Sequence, residues 1–194
     1  MKKEFIVITI LIFAILYFIR EKKNQILARA LIWKGVKETG TNAGFTNDIF
    51  QKMMKNVGWS SGSQWCAYFV KMVYIDALPQ YKDDFNKVLS GRSQATFSNV
   101  ENGKSKYLKA IKSGPCQPGD IVIWTNKNDS SRGHAGIVYS VNGNNFVAIE
   151  GNTNTSPARY GNTDLVQLVD HQITYGTNDN TYKTKKLRGF IRLK

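Results

Sequence analysis

The hydrophobic positions divide the chain into a helical first half and a strand-rich second half. Apolar side chains recur at helical spacing in five segments: 24–38, 46–57, 64–78, 83–89 and 96–111. From Gly119 onward, short apolar or alternating segments predict strands at 119–124, 134–141, 145–150, 164–169, 172–175 and 187–193. Segments 156–162 and 176–186 read as exposed loops. Helices followed by strands predict an α+β fold, with N-terminal helices packed on a C-terminal antiparallel β-sheet.

A separate apolar segment precedes these elements. Residues 5–19 contain no Gly, Pro or charge, and residues 20–23 are all charged. As a helix this segment spans about 22 Å, against about 30 Å for a bilayer core. It also fits the core of a signal peptide, but no small-x-small cleavage site follows it. We therefore predict an N-terminal hydrophobic helix that acts as an uncleaved signal anchor (residues 1–23) before one domain (24–194). A cleaved signal, giving a secreted protein, is the alternative.

The charge of the chain is strongly positive, at +13 over 194 residues. Lysines and arginines are scattered from Lys22 to Lys194, without zinc-finger spacing, a helix-turn-helix pattern or an RNA-binding aromatic motif. We therefore predict no nucleic-acid partner. Scattered positive charge suits a general attraction to polyanions such as phospholipid headgroups or anionic cell-wall polymers, or serves solubility alone.

The candidate chemistry begins with Cys66. With Ser63 as N-cap, Gln64, Trp65 and Cys66 become the first three residues of a helix. Unpaired N–H groups and partial positive charge at a helix start favour a thiolate, which suits a nucleophile. A buried cysteine that only fills space is the competing interpretation. Cys116 precedes a turn and reads as a small buried residue, so we predict no disulfide.

The strands at 134–141 and 145–150 form a predicted hairpin whose register decides which side chains share a face. A three-residue loop at 142–144 pairs Val141 with Asn145. Tyr139 then faces Val147, and Ile137 faces Ile149, so that the apolar residues share one face. This apolar pairing favours the three-residue loop over a two-residue turn.

His134, Glu150 and Asn152 share the opposite face in this register, whereas a two-residue turn would separate His134 from Glu150. A neutral imidazole can take a proton from a thiol and return it to a leaving amine. A third polar group fixes the ring tautomer and supports the imidazolium. His171, between two predicted strands, reads as an exposed turn residue.

Other catalytic classes lack their motifs. The chain has no HExxH, paired CxxC or EF-hand loop, and only two histidines. No Gly-x-Ser-x-Gly segment follows a strand, as a serine nucleophile elbow requires. We therefore predict a site without metal or cofactor.

Four segments, in order, resemble the CHAP domain, the cysteine- and histidine-dependent amidohydrolase/peptidase family within the NlpC/P60, papain-like group. They are Gln64-Trp65-Cys66-Ala67-Tyr68-Phe69-Val70, Pro118-Gly119-Asp120-Ile121-Val122, Gly133-His134-Ala135-Gly136-Ile137-Val138 and Ile149-Glu150-Gly151-Asn152-Thr153. The closing segment 189–192 resembles the last strand of the family. The resemblance covers roughly residues 25–194.

The resemblance implies a papain-like fold and a role for each matching residue. Cys66 would be the nucleophile, and His134 the general base and later acid. Glu150 would orient the imidazole, with Asn152 as a supporting polar group. The Cys66 N–H, with Gln64, would hold the oxyanion. Some members carry an acidic calcium loop before the cysteine, but segment 41–48 has one acid here, so the no-metal prediction stands.

The family cleaves amide bonds in peptidoglycan. The resemblance therefore predicts a cysteine peptidoglycan hydrolase, acting either between glycan and stem peptide as an N-acetylmuramoyl-L-alanine amidase or within the peptide as an endopeptidase. We predict Trp65 and Trp124 as substrate-binding aromatics. The domain would lie outside the cytoplasm, on the periplasmic or cell-wall side, with residues 5–19 in the membrane. A non-catalytic wall-binding module and a membrane-associated acyltransferase are the alternatives.

Overall fold

The protein is described by a computed structural model that covers residues 2–153, 164–174, 180–182 and 184–194. The loop predicted at 156–162 lies outside these residues. The loop predicted at 176–186 is wrong at its C-terminal end, because Thr181–Tyr182 is a strand and another strand begins at Lys185.

The helices occupy the first half of the chain, as predicted. They are α1 (Lys2–Ile32), α2 (Asp48–Asn56), α3 (Cys66–Ala77), α4 (Lys82–Val88) and α5 (Ser93–Glu101), with a 3₁₀ turn at Pro79–Tyr81. The start predicted at residues 46–47 is confirmed, because Asn47 Oδ1 accepts a 2.9 Å hydrogen bond from the Phe50 N–H and caps α2. The helix predicted over 96–111 is wrong in its second part. It ends at Glu101, and Gly103 (φ +72°) turns the chain toward a strand.

Helix α1 is continuous, so the predicted boundary between residues 23 and 24 falls inside it. Its C-terminal part packs on the domain through Ile26 and Ala30, while apolar side chains such as Phe13 and Phe18 are exposed. Within the described ranges, no helix combines the length and the apolar character that a bilayer crossing requires. The predicted membrane anchor at residues 5–19 therefore finds no support.

The strands form one large antiparallel sheet. A small pair precedes it, β1 (Glu38–Thr39) with β2 (Gly44–Phe45). The sheet strands are β3 (Leu108–Ile111), β4 (Ile121–Asn126), β5 (Gly133–Asn142), β6 (Asn145–Thr153), β7 (Leu165–Gln172), β8 (Thr181–Tyr182) and β9 (Lys185–Leu193). Their order is β3-β9-β4-β5-β6-β7, with β8 beside β9. The α+β prediction is confirmed. The strand predicted at 164–169 corresponds to β7, which continues to Gln172. The separate strand predicted at 172–175 is wrong over the described residues 173–174, which lie outside any strand, and residue 175 lies outside the described residues.

Both faces of this sheet are covered by apolar side chains. Alternate residues such as Ile121, Ile123 and Ile149 join the core beneath the helices. Their neighbours, among them Trp124 and Val138, join a second cluster on the other side. Strands covered on both faces explain why segment 121–124 is apolar at successive positions rather than alternating.

The β5–β6 hairpin departs from the predicted register at its turn. The turn has two residues, Gly143 and Asn144, between paired Asn142 and Asn145, so the predicted pairs Val141–Asn145 and Tyr139–Val147 are wrong. A bulge between Val138 and Ser140 then leaves Tyr139 unpaired. The two one-residue offsets cancel, so the predicted pair Ile137–Ile149 is confirmed. His134 and Glu150 consequently share a face, as predicted, although the predicted loop length is wrong.

Candidate active site

Cys66 is the first residue of α3, the helix that packs against α1 and the β5–β6 hairpin. The predicted N-cap at Ser63 is wrong, because the helix begins later and Trp65 occupies the cap position without a side-chain cap bond. The Trp65 N–H instead donates to Asn152 Oδ1 at 3.1 Å. The start of α3 is therefore held by a residue from β6, far away in sequence.

The indole of Trp65 anchors the same turn. Its Nε1–H donates to Glu38 Oε2 at 2.9 Å, and the side chain is fully buried. A Cβ on Gly151 would lie 2.4 Å from the indole, so only glycine allows β6 to pass this close. Burial raises the pKa of Glu38, although its hydrogen bond to Trp65 opposes that shift. Together these contacts fix the backbone that carries the Cys66 thiol.

The polar groups on the sheet side form a buried chain. His134 Nε2 lies 2.8 Å from Glu150 Oε2, and His171 Nε2 lies 2.7 Å from Glu150 Oε1. The side chain of Glu150 is 0% exposed. Gly136 makes room for this carboxylate, because a Cβ there would lie 2.7 Å from Glu150 Cγ. Glu150 thus bridges two histidines, one on β5 and one on β7.

The charges of Glu150 and His134 stabilise each other. Burial alone would raise the pKa of Glu150, but the two histidines lower it to about 2. Burial alone would lower the pKa of His134, but Glu150 and Cys66 raise it to about 10. At neutral pH this arrangement favours an ionised carboxylate beside an imidazolium.

The thiol of Cys66 completes the arrangement. Burial opposes its ionisation, but the charge of His134, a hydrogen bond from its ring and the N–H groups of Ala135 and Ala67 lower the pKa of the thiol below its ordinary value. The pKa of Cys66 is lowered and that of His134 is raised, so the pair favours thiolate and imidazolium before any substrate arrives.

The tautomer of His134 follows from its partners. An ionised carboxylate only accepts hydrogen bonds, so the Nε2 atoms of both histidines carry the hydrogens that Glu150 accepts. For His134 this leaves Nδ1 as the ring nitrogen that faces the Cys66 sulfur. The arrangement can therefore exchange a proton between Cys66 and His134 while Glu150 keeps the ring oriented.

An open cavity of about 470 Å³ borders Cys66. Gln64 and Tyr68 line it beside the nucleophile, and the segments around Arg92 and Arg132 form other parts of its wall. Arg132 Nε lies 3.2 Å from Asp129 Oδ2. The predicted oxyanion residue Gln64 therefore borders the same cavity as Cys66.

Two predicted substrate-binding residues are core residues instead. Trp65 and Trp124 are both 0% exposed, so the predictions that they bind substrate are wrong. Trp65 packs beneath the helices, and Trp124 lies in the second cluster across the sheet, where its ring stacks on Phe146. Asn152, predicted to support His134, instead bonds the Trp65 N–H and donates to Asn42 and Asp164.

His171 is the residue that sequence reasoning missed. The prediction of an exposed turn residue is wrong, because His171 lies in β7 and is 4% exposed. In the register it pairs with Phe146, whereas Glu150 pairs with Gln167. The intervening residue on the same face of β6 is Ala148, whose small side chain leaves the diagonal open. The available signal was the place of His171 in an alternating segment, where it stands between apolar Val169 and Ile173.

Within the residues that the structure describes, no group of three or more His, Cys, Asp or Glu side chains has the arrangement of a metal site. Cys66 and Cys116 are both buried, and no disulfide joins them.

Comparison with known proteins yields a family and a fold. The CHAP domain family model matches residues 57–152, which include Cys66, His134, Glu150 and Asn152. No curated protein matches the sequence. The crystal structure of Ly7917 superposes on 88% of this chain with a TM-score of 0.54 at 15% identity. The structure of Ly7917 with the hydrolysing product of MDP gives a TM-score of 0.53 at 16% identity. This chain spans 62% of each Ly7917 chain, and such low identity indicates a common fold alone.

Proposed function

Because residues 57–152 belong to the CHAP domain family, we propose that this protein is a cysteine peptidoglycan hydrolase. The bond it cleaves is an amide, either the link between glycan and stem peptide or a bond within the peptide. Residues 24–194 form the catalytic unit, within the papain-like group. It acts outside the cytoplasm, on the periplasmic or cell-wall side, because its substrate lies there.

The observation that carries this proposal is the hydrogen-bonded chain from Cys66 through His134 to Glu150, beside an open cavity. A nucleophile, a base and a group that orients the base are the parts that amide hydrolysis through an acyl-enzyme requires. In a protein that only binds the wall, a buried carboxylate and a thiol with a lowered pKa would have no task.

The reaction proceeds in two halves. The Cys66 thiolate attacks the amide carbon, and the oxygen that becomes negative is held by the Cys66 N–H, free of the helix ladder at the first position of α3, with the Gln64 amide. His134 passes its Nδ1 proton to the leaving amine as the C–N bond breaks. The resulting thioester is hydrolysed by a water whose proton His134 takes, and the thiolate leaves.

The positive charges in the cavity wall are complementary to an anionic substrate. Two arginines, Arg92 and Arg132, line it together with neutral residues, and the carboxyl groups of peptidoglycan stems would complement them. The hydrolysing product of MDP bound to Ly7917, which we read as a muramyl dipeptide fragment, is in keeping with a wall-derived substrate.

Digestion of purified peptidoglycan, with mass analysis of the soluble fragments, tests the proposal. An amidase releases intact stem peptides and bare glycan, whereas an endopeptidase leaves peptide attached to the glycan. A wall-binding module would sediment with peptidoglycan and release nothing, which would contradict the proposal.

The two cysteines provide a matched pair of variants. Cys66→Ala is expected to abolish fragment release, while Cys116→Ala retains it, because Cys116 lies in the second cluster rather than at the cavity. Undiminished release by Cys66→Ala would overturn the nucleophile assignment.

A further inference from the structure

We propose that His171 is a positioning residue of the catalytic site: its Nε2–H holds Glu150 so that the other carboxylate oxygen stays directed at His134. The proposal deepens the proposed function and rests on it. His171 contacts Glu150 rather than the reacting atoms, so it acts through Glu150.

The geometry of Glu150 carries the proposal. The carboxylate is fully buried, and each of its two oxygens has one histidine partner, at 2.8 Å to His134 and 2.7 Å to His171. With a single partner, a carboxylate can rotate about its last bond and exchange its oxygens. With both oxygens held by rings on opposite neighbouring strands, the plane of the carboxylate is fixed.

His171 is itself rigidly held. Its side chain is fully buried, and its ring stacks on Phe146 and packs at a tilt against Trp124, with centroid distances of 4.9 Å and 5.0 Å. A donor held by two aromatic rings loses little conformational entropy when it bonds a carboxylate. The second cluster of the sheet therefore supports the catalytic side chains.

The same contact also maintains charge. Among the described residues, the titratable groups that face Glu150 are His134 from β5 and His171 from β7, and His134 in turn faces Cys66. The hydrogen bond from His171 lowers the pKa of Glu150. Loss of that bond would raise the pKa of Glu150, weaken the imidazolium of His134 and thereby weaken the thiolate of Cys66.

A purely structural role is the alternative, in which His171 serves only as an aromatic ring packed against Trp124 and Phe146. Two substitutions separate these roles. His171→Phe keeps the stacked ring and removes the donor. His171→Gln keeps an N–H₂ donor near the position of Nε2 and removes the ring.

The kinetic expectation is specific to a positioning role. His171→Phe should lower kcat roughly tenfold or more with KM within about twofold, because a charge-assisted hydrogen bond near the reacting groups is lost. The acidic limb of its pH–rate profile should move to higher pH. His171→Gln should recover most of kcat even though it loses the stacking. If His171→Phe retains full kcat while His171→Gln loses it, or if both lose it equally, the positioning role is excluded.

A second measurement is independent of the substrate. The chain has two histidines, so only His134 contributes imidazole NMR signals in His171→Phe. The titration midpoint of His134 should move about one pH unit or more below that of the wild type. The pH at which the alkylation rate of Cys66, followed by mass spectrometry, reaches half its maximum should move to a higher value. An unmoved His134 titration would overturn the proposal.

The outcomes distinguish the two proposals. If the wild type releases no wall fragments but the His134 titration moves, the proposed function fails and the His171 role stands. If His171→Phe does not fold, ¹⁵N spectra of the wild type decide instead, because positioning requires a proton on His171 Nε2. An unprotonated Nε2 would exclude it.

Discussion

Cys66 is supported from two sides that use different chemistry. On the sheet side, the buried carboxylate of Glu150 lies between two histidines and carries charge. On the helix side, Asn152 and Glu38 hold the backbone and indole of Trp65. The first support sets protonation states, and the second sets only the location of the nucleophile. Damage to the first should therefore change the pH dependence of activity and stability, whereas damage to the second should reduce both without changing their pH dependence.

The largest effect is expected from Glu150→Gln. The substitution keeps the shape of the side chain but removes the charge that raises the pKa of His134. The amide nitrogen that replaces one carboxylate oxygen donates hydrogen bonds, so the side chain can no longer accept one from each histidine. We expect kcat to fall about 100-fold to 10,000-fold with KM little changed, by analogy with other triad orienting groups. Steady-state kinetics on a soluble muropeptide measure it. If Glu150→Gln lowers kcat less than His171→Phe does, Glu150 cannot be the residue through which His171 acts.

Asn152→Gly should have an intermediate effect. Asn152 has φ +54°, which glycine adopts without strain, so the variant removes the side-chain hydrogen bonds while the backbone conformation is kept. The Trp65 N–H would lose its acceptor, and we expect roughly a tenfold loss of kcat together with about 1–2 kcal/mol of stability. Kinetics and thermal unfolding are both needed. An unchanged pH–rate profile supports a purely positional role, and a shifted profile contradicts the separation of the two supports.

The pH dependence of stability should come mainly from the sheet side. Glu150, with its pKa lowered from 4.5 to about 2, stabilises the fold above pH 4.5 and loses that effect as the pH falls through 2. His134, with its pKa raised from 6.5 to about 10, stabilises below pH 6.5 and loses that effect as the pH rises through 10. The Tm difference between wild type and Glu150→Gln should therefore be largest near pH 4.5–6.5. A constant difference across pH would contradict the charge coupling.

The smallest effect is expected at the cavity wall. Arg92→Gln should raise KM about twofold to fivefold without changing kcat, and added salt should reduce the difference, because the interaction is exposed. Arg29→Gln is the matched control. Arg29 pairs with Asp76, about 15 Å from Cys66 along α3, so its KM should match that of the wild type.

The sequence was sufficient for the α+β class, for most of the elements and for the reacting pair. The periodicity, the Asn47 cap and the apolar hairpin pairing predict α+β, and the resemblance places Cys66, His134 and Glu150 in one site. The contact of His171 with Glu150 could not be predicted, because it depends on the diagonal between β6 and β7 and on the small side chain of Ala148. The core positions of Trp65 and Trp124 were equally hidden, since an aromatic side chain suits a core and a sugar-binding surface alike.

The bulge at Tyr139 decides which side chains of the β5–β6 hairpin share a face. A two-residue turn followed by a regular ladder would place His134 and Glu150 on opposite faces, and the extra residue in β5 brings them back to the same side of the sheet. A one-residue slip of the ladder between the bulge and His134 therefore separates the base from the carboxylate, whereas a residue added in the turn or removed at the bulge leaves the pairs of that ladder in place. Loop grafting and directed evolution of this hairpin are accordingly best directed at the turn and the bulge.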